Sequence, residues 1–214
     1  GSQDPYALRR QTIGILNILL NSEWNISLRP IIVESMNLLN VPTDKQDELL
    51  GQVEEFITLR LKNIFLDREV PHHVIDLLLS NSELSVADAE GLVKALLANR
   101  IDENVELVQA FTRMYNLVKD VTYTGVDESL LKEEAERALY EAATKASEAS
   151  IDAWDKNDYD AVVAVPSTLV PAINTFFEDV MVMDKDEAIK ANRLQLVRLA
   201  YSVMAIIGDI SALK

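Results

Sequence analysis

The sequence predicts an all-α protein of about ten helices in two packed helical bundles. Three observations carry that expectation. Apolar residues recur at three- and four-residue spacing through nearly every segment. Pro5, Pro30 and Pro71 stand where such stripes begin, the position at which proline suits a helix. No convincing alternating β-branched run occurs; Val162-Val163-Ala164-Val165 is the nearest, and it is short.

Along the chain, Asp4 with Pro5 reads as an N-cap followed by proline at the first helical position. Leu8, Ile15, Leu16 and Leu19 follow at helical spacing, and Asn21-Ser22 end the run. Pro30 restarts a shorter helix to about Leu39. After the loop Asn40 to Asp44, Leu49, Val53, Phe56, Ile57, Leu61, Ile64 and Phe65 form one long amphipathic stripe. Pro71 opens a helix through Leu79. Ser85 with Asp88 resembles a capping box that uses Asp in place of Glu, ahead of a helix carrying Ala89, Val93 and Leu96.

Asn99 to Asp102 is the clearest boundary, dividing residues 1–98 from 99–214. Val105, Leu107, Phe111, Met114 and Val118 mark the next helix. Tyr123 to Asp127 is a loop in which Gly125 can take positive φ and Asp127 can cap a helix running from about Glu128 to Ser150. After a polar turn from Asp155 to Tyr159, a short helix is expected to end near Val165, because Pro166 disfavours helix at the residue before it. Thr168 to Met183 and Glu187 to Ile207 complete the series, separated by Asp184-Lys185-Asp186.

Composition excludes several classes. The 214 residues contain no cysteine, hence no disulfide, no cysteine zinc site and no thiol nucleophile. Their absence agrees with a reducing, cytoplasmic setting. No apolar run approaches the roughly 20 residues needed to cross a bilayer, so no membrane partner is expected. Apolar content of 49% with six Gly and six Pro is too rich for a disordered chain. Gly1-Ser2 without Met looks like a tag-cleavage scar, and no signal peptide follows. Thirty-five acidic against 20 basic residues give a net charge of −15, which argues against coating nucleic acid through bulk charge.

Motifs for catalysis are missing. There is no phosphate loop, no Gly-x-Gly-x-x-Gly and no nucleophile elbow. His72-His73 with Asp76 lacks the further ligands of a metal phosphohydrolase and reads as polar residues in a first turn. Paired carboxylates such as Glu54-Glu55 and Glu133-Glu134 read as solvated faces or favourable helix starts. No catalytic residue and no metal ligand is assigned. Trp24 and Trp154 suit the ends of a core better than platforms for bases, and Met181 and Met183 read as core packing.

Basic residues are few, so their placement matters. Arg113, Asn116 and Lys119 lie within roughly 120° of one helix face. Lys190, Arg193 and Arg198 lie within roughly 140° on a helix free of acids between Glu187 and Asp209. Arg137 and Lys145 form a third group. Such arcs can hold phosphates or read bases. The alternative is a solvated face with internal pairs, such as Glu133 with Arg137.

Several segments in order resemble the bacterial glycyl-tRNA synthetase beta subunit. Asp4-Pro5-Tyr6-Ala7-Leu8-Arg9-Arg10 is similar to its Asp-Pro-aromatic-Ala-Leu-Arg-Arg segment. Leu59-Arg60-Leu61-Lys62-Asn63 with Val74-Ile75-Asp76 is similar to its next helical pair. Ala110 to Asn116 resembles its Ala-Phe-Lys-Arg-Val-x-Asn helix, with Thr112 in place of the Lys. Glu134 to Tyr140 resembles its Glu-Lys-Ala-Leu-Tyr segment. Phe176 to Met183, Ala191-Asn192-Arg193-Leu194 and Asp209-Ile210-Ser211 match its end.

The resemblance implies a tRNA-recognition scaffold. A separate alpha subunit would carry catalysis, with ATP and magnesium used by the complete synthetase and no cofactor held by this chain. Residues 1–98 would be a helical segment that follows an upstream His-Asp phosphohydrolase-like domain. Residues 99–214 would be an anticodon-binding-like domain. The implied partners are glycine tRNA and the alpha subunit, with no DNA. Motif positions point to Arg113, Asn116, Asn192 and Arg193; spacing adds Arg137, Lys190 and Arg198. The alternative is a helical protein–protein scaffold with little RNA contact. An independent helical enzyme built on carboxylates and His72-His73 is the third and weakest reading.

Overall fold

The computed structural model describes Asp4, residues 6–22 and residues 24–213. Among these residues no strand forms, and nine α-helices follow one another: α1 (Leu8–Leu20), α2 (Leu28–Leu38), α3 (Thr43–Asp67), α4 (His72–Leu79), α5 (Val86–Asn99), α6 (Val105–Val118), α7 (Glu134–Asp155), α8 (Tyr159–Asp179) and α9 (Glu187–Ala205). Single 3-10 turns lie at Ile101–Glu103, Glu128–Leu130 and Ile210–Leu213. The chain divides into two compact units, Gly1–Val93 and Lys94–Lys214, so the division falls inside α5.

In the first unit α3 is the spine, touched by α1, α2 and α4. Leu16, Leu19 and Leu20 of α1, Leu61 and Phe65 of α3, and Val74, Ile75, Leu77 and Leu78 of α4 are buried. The capping box before α5 is present in both directions. The Ser85 N–H donates to the Asp88 carboxylate and the Asp88 N–H to the Ser85 hydroxyl, each at 3.0 Å. Asn25 adds a side-chain donor to Asp88 at 2.9 Å, tying the chain before α2 to that cap.

Two expectations change here. α1 begins at Leu8, after Ala7 in a left-handed conformation, and not at the fifth residue; Pro5 lies outside the described residues. The Asp4 carboxylate still accepts the Arg9 N–H, at 3.4 Å. Trp24 caps no core. It is 61% exposed, alongside exposed Leu8, Ile15 and Ile18 of α1 and Ile31 and Leu38 of α2.

In the second unit α6, α7, α8 and α9 pack on one another around Phe111, Met114, Leu139, Ile173, Phe176, Leu196 and Met204. α7 presents a stripe of small buried residues, Ala143, Ala146, Ser150 and Ala153, which lets α8 approach closely. Local capping follows the sequence. Asn104 accepts the Leu107 N–H, Asp158 the Ala161 N–H, and Asp186 the N–H groups of Ala188 and Ile189. Gly125 takes φ 110°, and Asp127 caps only the 3-10 turn that follows it. The long helix after that loop therefore begins at Glu134, not near Glu128, because buried Leu131 holds the intervening residues extended.

The break expected at Pro166 is absent. α8 runs unbroken from Tyr159 to Asp179 with Pro166 and Pro171 inside it. Each interior proline costs about 3 kcal/mol. Burial of Val162, Val163, Val165, Leu169, Val170, Ile173 and Phe176, at about 1.5–3 kcal/mol each, outweighs both. The same continuity corrects the statement that no apolar run nears membrane length. Among the described residues α8 alone has the length and composition to cross a bilayer, but half of that stretch is buried, and α8 is the core helix against α7.

Candidate functional site

The sequence singled out seven residues of the second unit, and the structure distributes them over distinct tasks. Arg193 and Asn192 are the most enclosed. The Arg193 Nε donates to the Glu136 Oε1 at 2.6 Å, and its Nη1 donates to the Asp184 carboxylate at 2.7 Å and to the Met181 carbonyl at 2.9 Å. The two side chains of the central pair are 5% and 0% exposed. Glu136 also accepts the N–H groups of Lys132 and Glu133, at 2.6 and 2.7 Å. Burial pushes the Glu136 carboxyl up, but Arg193 and those two N–H groups outweigh it and hold it below the usual glutamate range. Burial lowers the Arg193 guanidinium, and Glu136 and Asp184 more than restore it. Arg193 is thus a latch joining α9, the start of α7 and the segment after α8.

Asn192 and Arg198 share a face of α9 with Gln195, and all three hold the loop from Val121 to Asp127. The Asn192 amide accepts the Asp127 N–H at 2.7 Å and donates to the Asp127 carbonyl at 2.9 Å. Gln195 accepts the Thr124 N–H at 2.8 Å and donates to the Thr122 carbonyl at 3.1 Å. Arg198 donates to the Val121 carbonyl at 3.2 Å, and its guanidinium carbon stands 5.9 Å from the Tyr201 ring centre. Spacing at i, i+3 and i+6 puts these side chains on one face, whereas the sequence groups Arg198 with Lys190 and Arg193, whose partners are different. What that face meets is a loop some seventy residues away, which nothing local announces. Gln195 was missed for the same reason.

Arg137 does not pair with Glu133. Its guanidinium donates to the carbonyls of Leu131 and Lys132 at 2.9 and 3.1 Å, capping the extended segment before α7. It lines a shallow surface with Tyr140, Thr144 and Lys145. Lys190 pairs with Glu187 at 3.0 Å, one turn back on α9.

Arg113 and Asn116 are the two candidates that the structure leaves on the surface side by side. Both are exposed on α6. The Arg113 guanidinium carbon stands over the ring of Phe177 of α8, 4.0 Å from the ring centre. Arg113, Asn116 and Phe177 line one shallow depression with Met181 and Met183. The two methionines are 75% and 57% exposed, so their expected place in the core is wrong. Val182 between them is buried, and Asp184 and the Met181 carbonyl are held by Arg193, so the chain alternates out, in, out. Phe177 was missed as a site residue; its partner lies 64 positions earlier, and no sequence signal connects them.

Among the described residues no group of His, Asp and Glu is arranged to hold a metal ion. His72 is exposed at the start of α4, and Asp76 accepts from Lys62 at 2.6 Å. Trp154 packs edge to face on Tyr159, centres 6.0 Å apart.

The chain is similar to known proteins in both units. Residues 1–80 match the family model described as glycyl-tRNA synthetase beta subunit, and residues 107–210 match the DALR anticodon binding domain. The glycine–tRNA ligase beta subunits of Clostridioides difficile (strain 630) and Geobacter sp. (strain M21) are each 36% identical, over 99% and 100% of this chain and 31% of each relative. That of Bacillus subtilis (strain 168) is 36% identical over 94% of this chain and 28% of the relative. The chain spans about a third of the length of these relatives.

Proposed function

The chain belongs to the glycyl-tRNA synthetase beta subunit family, and from that premise we propose that it is the tRNA-binding part of a cytoplasmic glycine–tRNA ligase, its second unit receiving the anticodon arm of glycine tRNA. Catalysis would belong to a separate alpha subunit, with ATP and magnesium used there; this chain would supply recognition and no reacting group. One observation carries the reading. The stretch that matches an anticodon binding domain holds an exposed arginine stacked on an aromatic ring with an asparagine one turn away, groups suited to unpaired bases and their edges. Of the seven candidates, Arg113 and Asn116 are proposed to touch RNA. Arg137, Lys190 and Arg198 are proposed for the flanking phosphates. Asn192 and Arg193 are proposed to act through the loops they hold.

Filter binding of the chain to glycine tRNA and to an anticodon-swapped tRNA, at several salt concentrations, tests the proposal. The expected result is tighter binding of glycine tRNA. Equal affinity for both would overturn anticodon reading.

A second reading has its own observation. The exposed apolar residues Leu8, Ile15 and Ile18 on α1, with Ile31 and Leu38 on α2, are the kind of surface that protein partners cover. The first unit would then hold protein rather than RNA. Cross-links from α1 to protein in the assembled ligase support this reading, and cross-links to tRNA oppose it.

A further inference from the structure

The depression around Phe177 is an odd surface for a phosphate binder. Arg113 is its single lining cation, and α8 ends beside it with exposed Glu178 and Asp179. Phosphate contacts need clustered positive charge, and none is built here. What is built is a polarizable surface of a guanidinium, an aromatic ring and two thioethers. The guanidinium carbon sits over the Phe177 ring, and two thioethers project from the chain just beyond α8. Their exposure is structurally enforced. Arg193 holds the Met181 carbonyl and Asp184 from below, and Val182 is anchored in the core. The other three methionines, Met36, Met114 and Met204, are all buried. Exposed methionines held in place are adaptable apolar contacts, and stacked guanidinium planes accept a further planar group.

We propose that Arg113, Phe177, Met181 and Met183 form a stacking platform for a single unpaired nucleobase of an RNA loop. Asn116 contacts the base edge, and Arg193 is the positioning residue that presents the two methionines. The proposal rests on the anticodon-arm reading and sharpens it. On a chain of net charge −15, the platform binds the base by stacking and not the backbone by charge, so its contribution is insensitive to salt. A stacked base contributes about five- to a hundred-and-fortyfold in affinity.

The test uses the chain with RNA hairpins carrying the glycine anticodon loop, intact or with one abasic nucleotide at each loop position in turn, and a hairpin with a swapped anticodon. Arg113→Lys keeps the charge and loses the plane. Met181→Ala with Met183→Ala removes mostly exposed apolar surface, and far-ultraviolet circular dichroism checks that the fold is kept. Each variant is expected to bind the intact hairpin about tenfold more weakly, with the salt dependence of the methionine variant unchanged. One abasic position is expected to weaken the wild type and leave both variants unaffected. Wild-type affinity in both variants overturns the platform, as do losses that simply add to every abasic substitution. Equal wild-type affinity for the swapped hairpin, with the variants still impaired, overturns anticodon reading and leaves the platform standing. No binding of any hairpin by the wild type overturns both.

Discussion

Replacing Glu136 by Ala tests whether the Arg193 latch carries the stability of the second unit. The substitution removes the acceptor of the Arg193 Nε and leaves that guanidinium 5% exposed with Asp184 as its remaining carboxylate partner. It also strips the acceptor from the N–H groups of Lys132 and Glu133 at the start of α7. Breaking a buried pair from one side costs about 3–5 kcal/mol, and losing a helix cap about 0.5–2 kcal/mol. The expected loss is therefore about 4 kcal/mol, a large share of a typical domain's stability. Arg193→Ala leaves Glu136 its two backbone donors and is expected to cost about 3 kcal/mol. Because each single change strands the other charge, the double variant should lose less than the sum, by about 1–3 kcal/mol. The assay is urea unfolding followed by Trp154 fluorescence in a Trp24→Phe background, so that only the second unit reports. The pH dependence has a definite sign. The folded Glu136 carboxyl titrates below its unfolded value. Its contribution is fully present above that unfolded value and fades as the pH falls through the folded one. Losses from the two single variants that add to within about 0.5 kcal/mol in the double, or a Glu136→Ala penalty that persists unchanged in strong acid, would refute the latch.

Three further outcomes are expected. Mild hydrogen peroxide should convert Met181 and Met183 to sulfoxides before Met36, Met114 or Met204, each thioether taking one oxygen atom and releasing water; peptide mass spectrometry that finds the five oxidised together would contradict the assigned exposures. Asp88→Ala should destabilise the first unit by about 1 kcal/mol or more, since it removes the acceptor of both the Ser85 N–H and the Asn25 amide; an unchanged urea midpoint for that unit would show the cap to be dispensable. Burial pushes the Tyr201 hydroxyl up to about 12, outweighing its bond to the Ile210 backbone. Its neutral form is favoured in the fold, so that stabilisation is complete below the unfolded value near 10 and is lost as pH rises through about 12. Tyr115 and Tyr140 are raised as well, so the check is the difference between proteins: an ultraviolet titration in which Tyr201→Phe removes no phenol from the latest-titrating part of the curve would contradict this.

Much of the fold was legible because it is written locally. The Ser85-Asp88 box and the positive φ of Gly125 depend on residues within a turn of one another. So does the all-α class, since an apolar stripe at helical spacing decides where hydrogen bonds close before any partner is known. The family resemblance was legible too, as ordered segments along the chain, and the comparisons bear it out.

What the sequence could not decide is what each face meets. Pro166 forbids a helix by local rules, yet burial along α8 overrides two prolines because the energy of that face lies in α7 and its neighbours. Arg193 and Arg113 look alike as arginines on helix faces. Tertiary packing gave one a buried carboxylate 57 positions away and the other a half-buried aromatic ring 64 positions away. Met181 and Met183 looked apolar enough for a core, and a guanidinium below the chain turned them outward. Backbone preference and capping act over a few residues and can be read from the chain alone. Burial and ion pairing act between residues that only the folded chain brings together, so the tertiary structure alone decided which cations build the protein and which remain for a partner.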